Sequence, residues 1–287
     1  MTRLTASDPP SAHRLLDAPL IEQLECVEAR VRAQPTTASH RWALFQLMCV
    51  TGQWARAIQQ LRAWAGLGPD RMPAALAYRD LIRAERWRAQ VVDGQQRPGF
   101  VLTPPLWVEN LIDALNLTAD GRTAQADDVR EAALDAAPTV VAHTPRGEAA
   151  WIADSDSRFG PVCEFITAGH YRWVPLSDLT AWRMSSPTTL VDLVWAPCAL
   201  TLEDGSAICG FVPARYPGSE AGDDTLRLGR KTVWRETGRA GTIALGQKTW
   251  ITARGDFGLF DLPQTRFGDD AAKGIASVSG ANDRDRT

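Results

Sequence analysis

The sequence predicts an α+β protein, an α-superhelical, tetratricopeptide-like domain followed by a strand-rich α+β domain, on three observations. From residue 15 to about 95 the apolar residues recur at every third or fourth position, as in Leu20, Leu24, Val27 and Val31, which is the spacing of one helix face. Beyond Ala149, β-branched and aromatic residues gather in short runs separated by Gly, Pro and Asp, the pattern of strands joined by turns. Between Arg41 and Pro69 the chain can be set against the tetratricopeptide repeat, with Trp42, Phe45 and Cys49 on a first helix and Ala57, Leu61 and Pro69 on a second. The expected division is a disordered N-terminal tail over 1–14, a helical domain over 15–147, a strand-rich domain over 148–267 and a disordered C-terminal tail over 268–287. A fragment ending between 138 and 148 should then be soluble and strongly helical.

The repeat match needs a one-residue deletion at Thr51-Gly52-Gln53, where Gly52 supplies the permissive backbone and Trp54 would staple the second helix to the first. Helical patterns over 16–33 and 73–92 extend the stack on either side. Two more helices are expected over 105–117, with a proline in the first turn, and over 124–136, ended by Pro138. In the second half the clearest hairpin runs through Asp204-Gly205, a pair that tolerates the positive φ angles of a type I′ turn. A second hairpin is expected to turn at Arg254-Gly255-Asp256, and a short helix at 177–182. The last segment, from Gly268, has no bulky apolar residue other than Ile275 and Val278.

Composition excludes several classes of function. The 31 Lys and Arg against 34 Asp and Glu leave no basic surface broad enough for a nucleic-acid backbone. The five cysteines are odd in number, widely spaced and set among apolar neighbours, which fits reduced, buried thiols and a cytoplasmic protein. No signal peptide is legible, and no apolar run approaches the roughly 20 residues of a membrane span.

Candidate chemistry is sparse. Asp154, Asp156 and Arg158 lie in the polar run Asp-Ser-Asp-Ser-Arg-Phe-Gly-Pro. Carboxylates two positions apart can hold a divalent metal, but Arg158 can instead pair with one of them, and the run reads as a structural turn or a recognition loop. No histidine pair has metal-ligand spacing, a Cys163/His170 dyad reads as inert packing, and no nucleophile elbow, phosphate loop or dinucleotide fingerprint occurs. The residues therefore name no catalytic group, no metal and no cofactor. Two places qualify as partner surfaces. Arg215, Tyr216 and Glu220 follow a strand and combine apolar area with directional hydrogen bonds. The helix over 39–50 has almost no polar face, so Ala43, Leu47 and Val50 either lie under neighbouring elements or line a concave groove for an amphipathic helix.

From Glu148 to Leu262 the ordered segments Trp-Ile-Ala-Asp-Ser-Asp-Ser-Arg-Phe-Gly-Pro (151–161), Tyr-Arg-Trp-Val-Pro (171–175), Asp-Leu-Val-Trp-Ala-Pro (192–197), Val-Pro-Ala-Arg-Tyr-Pro-Gly-Ser-Glu (212–220) and Leu-Gly-Gln (245–247) resemble the C-terminal half of the ImpE (SciE, TagJ) family. The chain departs from that pattern at Val191, where the family usually carries arginine, and at Lys248, where it often has Gly-Gln-Arg. The resemblance implies a non-catalytic accessory component of the type VI secretion system. It would bind the small subunit of the contractile sheath (TssB-like), and it would be linked to the ClpV-type AAA+ unfoldase that recycles the sheath. The competing readings are a metal-dependent enzyme using the Asp154 to Asp156 loop and a repeat-type scaffold unrelated to secretion.

Overall fold

A computed structural model of the protein describes residues 18–268, so the tails expected over 1–14 and beyond Gly268 lie outside the described residues. Six helices occupy the first half: α1 (Leu20–Ala33), α2 (Ala38–Val50), α3 (Trp54–Ala65), α4 (Met72–Val92), α5 (Leu106–Ala119) and α6 (Thr123–Ala136). Each follows from an apolar stripe that finds a neighbour. Trp42 of α2 packs on Trp64 of α3 with ring centroids 4.8 Å apart and on Tyr78 of α4 at 5.2 Å, and Phe45 meets Tyr78 at 5.4 Å, so aromatic contacts staple α2, α3 and α4 together. Pro73 sits in the first turn of α4, where its missing N–H costs nothing. The turn between α2 and α3 requires a glycine: Gly52 has φ +69°, and a Cβ there would lie 2.6 Å from the side chain of Glu220. The Trp54 ring, half-buried against the same core as α2 and α3, faces Trp195 at 5.8 Å.

The strands are β1 (Gly99–Phe100), β2 (Ala142–Thr144), β3 (Gly147–Ala149), β4 (Ile152–Asp154), β5 (Val162–Thr167), β6 (His170–Pro175), β7 (Leu179–Met184), β8 (Trp195–Leu202), β9 (Ala207–Pro213), β10 (Thr232–Thr237), β11 (Gly241–Gly246), β12 (Thr249–Thr252), β13 (Gly255–Gly258) and β14 (Gln264–Phe267), with the short helix α7 (Asp224–Arg227) after β9. Nine form one sheet in the order β1-β6-β5-β9-β8-β7-β14-β2-β3, antiparallel except for the β1 to β6 pair; β10 pairs with β11, and β13-β12-β4 forms a third sheet. Strand pairing begins before residue 148: β1 and β2 belong to the large sheet, and the β2-β3 hairpin straddles the expected boundary.

Two local expectations are corrected. The helix expected over 177–182 is only a 3-10 turn at Leu176–Asp178, after which the chain enters β7; a bulge between Leu179 and Ala181 places buried Leu179 and Trp182 three positions apart and imitates a continued helical period. The Asp204-Gly205 hairpin is not type I′. Only Gly205 has a positive φ, +79°, and its N–H donates to the Leu202 carbonyl at 3.0 Å, giving a three-residue loop.

The large sheet is buried on both faces near its centre, and β5 is buried along nearly its whole length. Val162 and Ile166 join one apolar cluster with the helices, together with Tyr171, Trp173 and Trp195. Cys163 and Phe165, which alternate with them, join a second cluster with Trp182, Leu200, Trp250 and Phe267. The first cluster makes the helices and the sheet share a core.

Candidate functional site

The polar run after β4 is built inward. Asp156 accepts a bidentate pair from Arg158, Nε to Oδ1 at 2.8 Å and Nη2 to Oδ2 at 2.6 Å, and also the backbone N–H of Ala244 at 2.9 Å. Ser157 closes the same edge of β11: its N–H donates to the Thr242 carbonyl at 3.0 Å, and its Oγ accepts the Thr242 N–H at 2.8 Å. Asp154 caps the Asp156 N–H at 2.9 Å and accepts the Tyr216 hydroxyl at 2.6 Å. The two carboxylates thus satisfy amides and cations of their own chain.

Beneath this loop lies a buried ion network joining the two halves. Arg88 of α4, 1% exposed, donates Nε and Nη2 to Glu164 of β5 at 2.7 and 2.8 Å and Nη1 to Glu85 at 2.9 Å. Tyr171 adds a hydroxyl to Glu164 at 2.5 Å and receives the Trp173 indole N–H at 2.7 Å. The Lys248 ammonium bridges Glu164, at 2.8 Å, and Asp154, among the rings of Phe159, Tyr216 and Trp250. Burial alone would raise the Glu164 carboxyl, but Arg88 and Lys248 prevail and hold it well below the usual carboxylate range. Burial pushes Asp154 up to about 6; Lys248 offsets part of the rise and the Asp156 charge adds to it. Among the described residues no group of three or more His, Cys, Asp or Glu is placed to hold a metal ion. Cys163 is buried in β5, burial raises its thiol far above the ordinary value, and the exposed His170 lies beyond the other end of that strand.

The residues expected to meet a partner are elsewhere engaged. Arg215, 2% exposed, caps the end of α2, donating to the carbonyls of Val50 at 2.6 Å and Cys49 at 3.1 Å and to that of Arg227 at 2.7 Å. Tyr216 is fully buried. Glu220 is half-buried against the α2–α3 turn. Leu47 and Val50, 2% and 0% exposed, lie in the shared core with Val191 and Val194, and Ala43 packs half-buried against it. None of the three lines an open groove, because the strand-rich half covers the face a longer helical stack would leave concave.

An open surface lies on the other side of the helices. Between α3 and α4, Ile58, Leu61, Ala65, Met72, Ala75 and Leu76 line a groove of about 260 Å³. It continues past Arg79 into a second depression of about 300 Å³ lined by Asp80, Arg83, Arg86 and Trp87. Met72, Leu76 and Trp87 are 48%, 43% and 41% exposed. Sequence reasoning missed this face, although α4 carried its signal: Met72, Leu76, Arg79, Arg83, Arg86 and Trp87 recur at helical spacing opposite the buried stripe of Leu81, Ala84 and Arg88.

The loop, the network and the sheet order define a class rather than an active site: an α+β protein whose most distinctive polar residues hold its two halves together. The family model described as "ImpE protein" matches residues 147–266, the stretch that contains all of them except Arg88 and Glu85 of α4. The type VI secretion system accessory component TagJ of Pseudomonas aeruginosa is 40% identical over 268 residues, covering 93% of this chain and 94% of that protein, and the chain belongs to this ImpE/TagJ family. The crystal structure of protein VPA1032 from Vibrio parahaemolyticus shares the fold, with a TM-score of 0.81 at 24% identity over 88% of this chain and 96% of that one. No described helix is long and apolar enough to cross a membrane.

Proposed function

We propose that the protein is a non-catalytic, cytoplasmic accessory component of the type VI secretion machine, whose tetratricopeptide-like helices bind the small subunit of the contractile sheath and which presents that subunit to the ClpV-type unfoldase. Family membership supports the secretion role. The observation that carries the binding role is the contrast between the two faces of α4. Its inner face spends Arg88 on the internal network, whereas its outer face offers Met72, Leu76 and Trp87 to solvent beside arginines, the composition of an interface rather than of an ordinary surface. Burial of the Asp154 and Asp156 carboxylates against Lys248 and Arg158 argues for a structural use of these groups.

The test is retention of the purified small sheath subunit by the immobilised full chain, with Leu76→Asp as the comparison. The wild-type chain retains the subunit and Leu76→Asp does not, and the unfoldase joins the retained complex. A wild-type chain that retains no sheath subunit would end this reading.

A further inference from the structure

We propose that the outer edge of β10 is a self-pairing surface, through which two copies of the chain join their β10-β11 ribbons into one continuous antiparallel sheet about a two-fold axis at Trp234. This inference goes beyond the adaptor reading and does not depend on it.

Spare backbone groups line this edge. β11 is bonded on both sides. On one it pairs with β10 from Thr232 opposite Gly246 to Thr237 opposite Gly241, without a bulge. On the other, the Thr242 N–H donates to Ser157 Oγ at 2.8 Å and the Ala244 N–H to Asp156 Oδ2 at 2.9 Å, so these two residues turn their backbone toward the motif loop. In an antiparallel ladder the residues opposite them, Glu236 and Trp234, then turn their own N–H and C=O away from β11, as does Thr232, while Val233 and Arg235 face β11. Among the described residues no backbone group takes up those of Thr232, Trp234 and Glu236.

The edge is also open. Val233, Trp234, Arg235 and Glu236 are all exposed, and the strand has neither the proline nor the bulge that keeps many edges single. The Trp234 indole N–H donates to Ser155 Oγ at 2.9 Å, which draws the ring back across β11 toward the motif loop and leaves the strand edge clear. A ribbon of only two strands with an exposed valine and tryptophan gains the most from added strands.

The side chains of β10 make a second copy the fitting occupant and set its register. About a two-fold axis normal to the sheet, facing residues lie on the same side of it, so the axis falls on a residue. Centred on Val233, Lys231 would face Arg235 of the second copy; centred on Arg235 or Glu236, a charge would face its own like. Centred on Trp234, no like charges are opposed. Val233 then lies under the aliphatic stem of Arg235 of the second copy, and Thr232 faces its Glu236. The same register pairs Trp234 with its counterpart and Thr232 with Glu236, which satisfies the outward groups of both edges together. An edge of this length buries less than the roughly 1,200–2,000 Å² of a standard stable interface, so the dimer is concentration-dependent.

The test is sedimentation of the full chain from low to high micromolar concentration, with amide hydrogen exchange read over the same range. A monomer–dimer equilibrium is expected. Exchange at the outward Trp234 amide should slow roughly threefold or more as the dimer fills, whereas the Val233 amide, bonded within the ribbon, should not change. Glu236→Pro removes an outward N–H that β11 does not use, so it should abolish the dimer with an unchanged circular dichroism spectrum. A chain that stays monomeric throughout overturns the proposal. So does a dimer that forms without slowing exchange at Trp234, or one that survives Glu236→Pro. If that variant does not fold, the Trp234 amide of the wild type decides alone.

Discussion

Lys248 is the bridge between Glu164 of β5 and Asp154 at the end of β4. Removing one member of a buried pair strands the other's charge, so Arg88→Met should cost about 3–5 kcal/mol, measured by chemical denaturation. Pairing it with Glu164→Leu should restore part of that loss, because the stranded carboxylate is gone. The two acids of the network respond to pH in opposite directions. Asp154 is raised from 3.8 to about 6 in the folded state, so its contribution is fully present below the unfolded value and is lost as pH rises through about 6. Glu164 is lowered, so its contribution is present above the unfolded value of 4.5 and is lost as pH falls below it. The unfolding free energy of the wild type relative to Asp154→Asn should therefore decline between about pH 4 and 6 and then level off. A flat difference across that range would show that Asp154 does not titrate in the folded protein.

The helix α2 shows how an element can be recognised and its neighbours misjudged. Its nearly continuous apolar character said that two faces must be covered, and the structure covers the second with Val191, Val194 and the Arg215 cap instead of leaving a groove. Leu47→Asp should thus unfold the protein or cost several kcal/mol, of the order of 4 or more, since a carboxylate there has no partner. Leu76→Asp, on the exposed stripe of α4, should stay within about 0.5 kcal/mol of wild type by thermal or chemical denaturation. The contrast between these two substitutions separates core from surface on adjoining helices. The motif loop has an equally local role. Asp156 and Ser157 complete the outer edge of β11, so Asp156→Ala should open the β10-β11 ribbon to hydrogen exchange before the rest of the sheet.

At the scale of the whole molecule, the two halves are distinct in sequence and continuous in packing. The apolar cluster that begins at Leu20 reaches Trp173 and Trp195 of the sheet and Tyr216 in the loop after β9, and Arg88 reaches across to Glu164. A fragment ending between 138 and 148 would keep its helices but lose the Glu164 partner of Arg88 and the cover over Leu47 and Val50. It is expected to remain helical by circular dichroism yet to bind a hydrophobic dye and melt without a sharp transition. Cooperative melting of that fragment at the temperature of the full chain would show that the shared core adds nothing to the helices' stability.

Periodicity and turn chemistry were enough to locate α1 to α6, the Asp204-Gly205 hairpin and the α+β class, because these depend on contacts between residues close in the chain. The ordered motifs from Trp151 to Gln247 were enough to place the chain in its family. What remained hidden depends on distance in the sequence. Arg215 and Tyr216 read as an exposed hot spot because their partners, Cys49, Val50 and Asp154, are 166, 165 and 62 residues away. A bulge in β7 made a strand look like the continuation of a 3-10 turn, and although the two faces of α4 differ in composition, which of them the sheet covers is decided by packing. Local order is written in spacing, whereas burial is a property of which surfaces meet, and tertiary packing alone decides that.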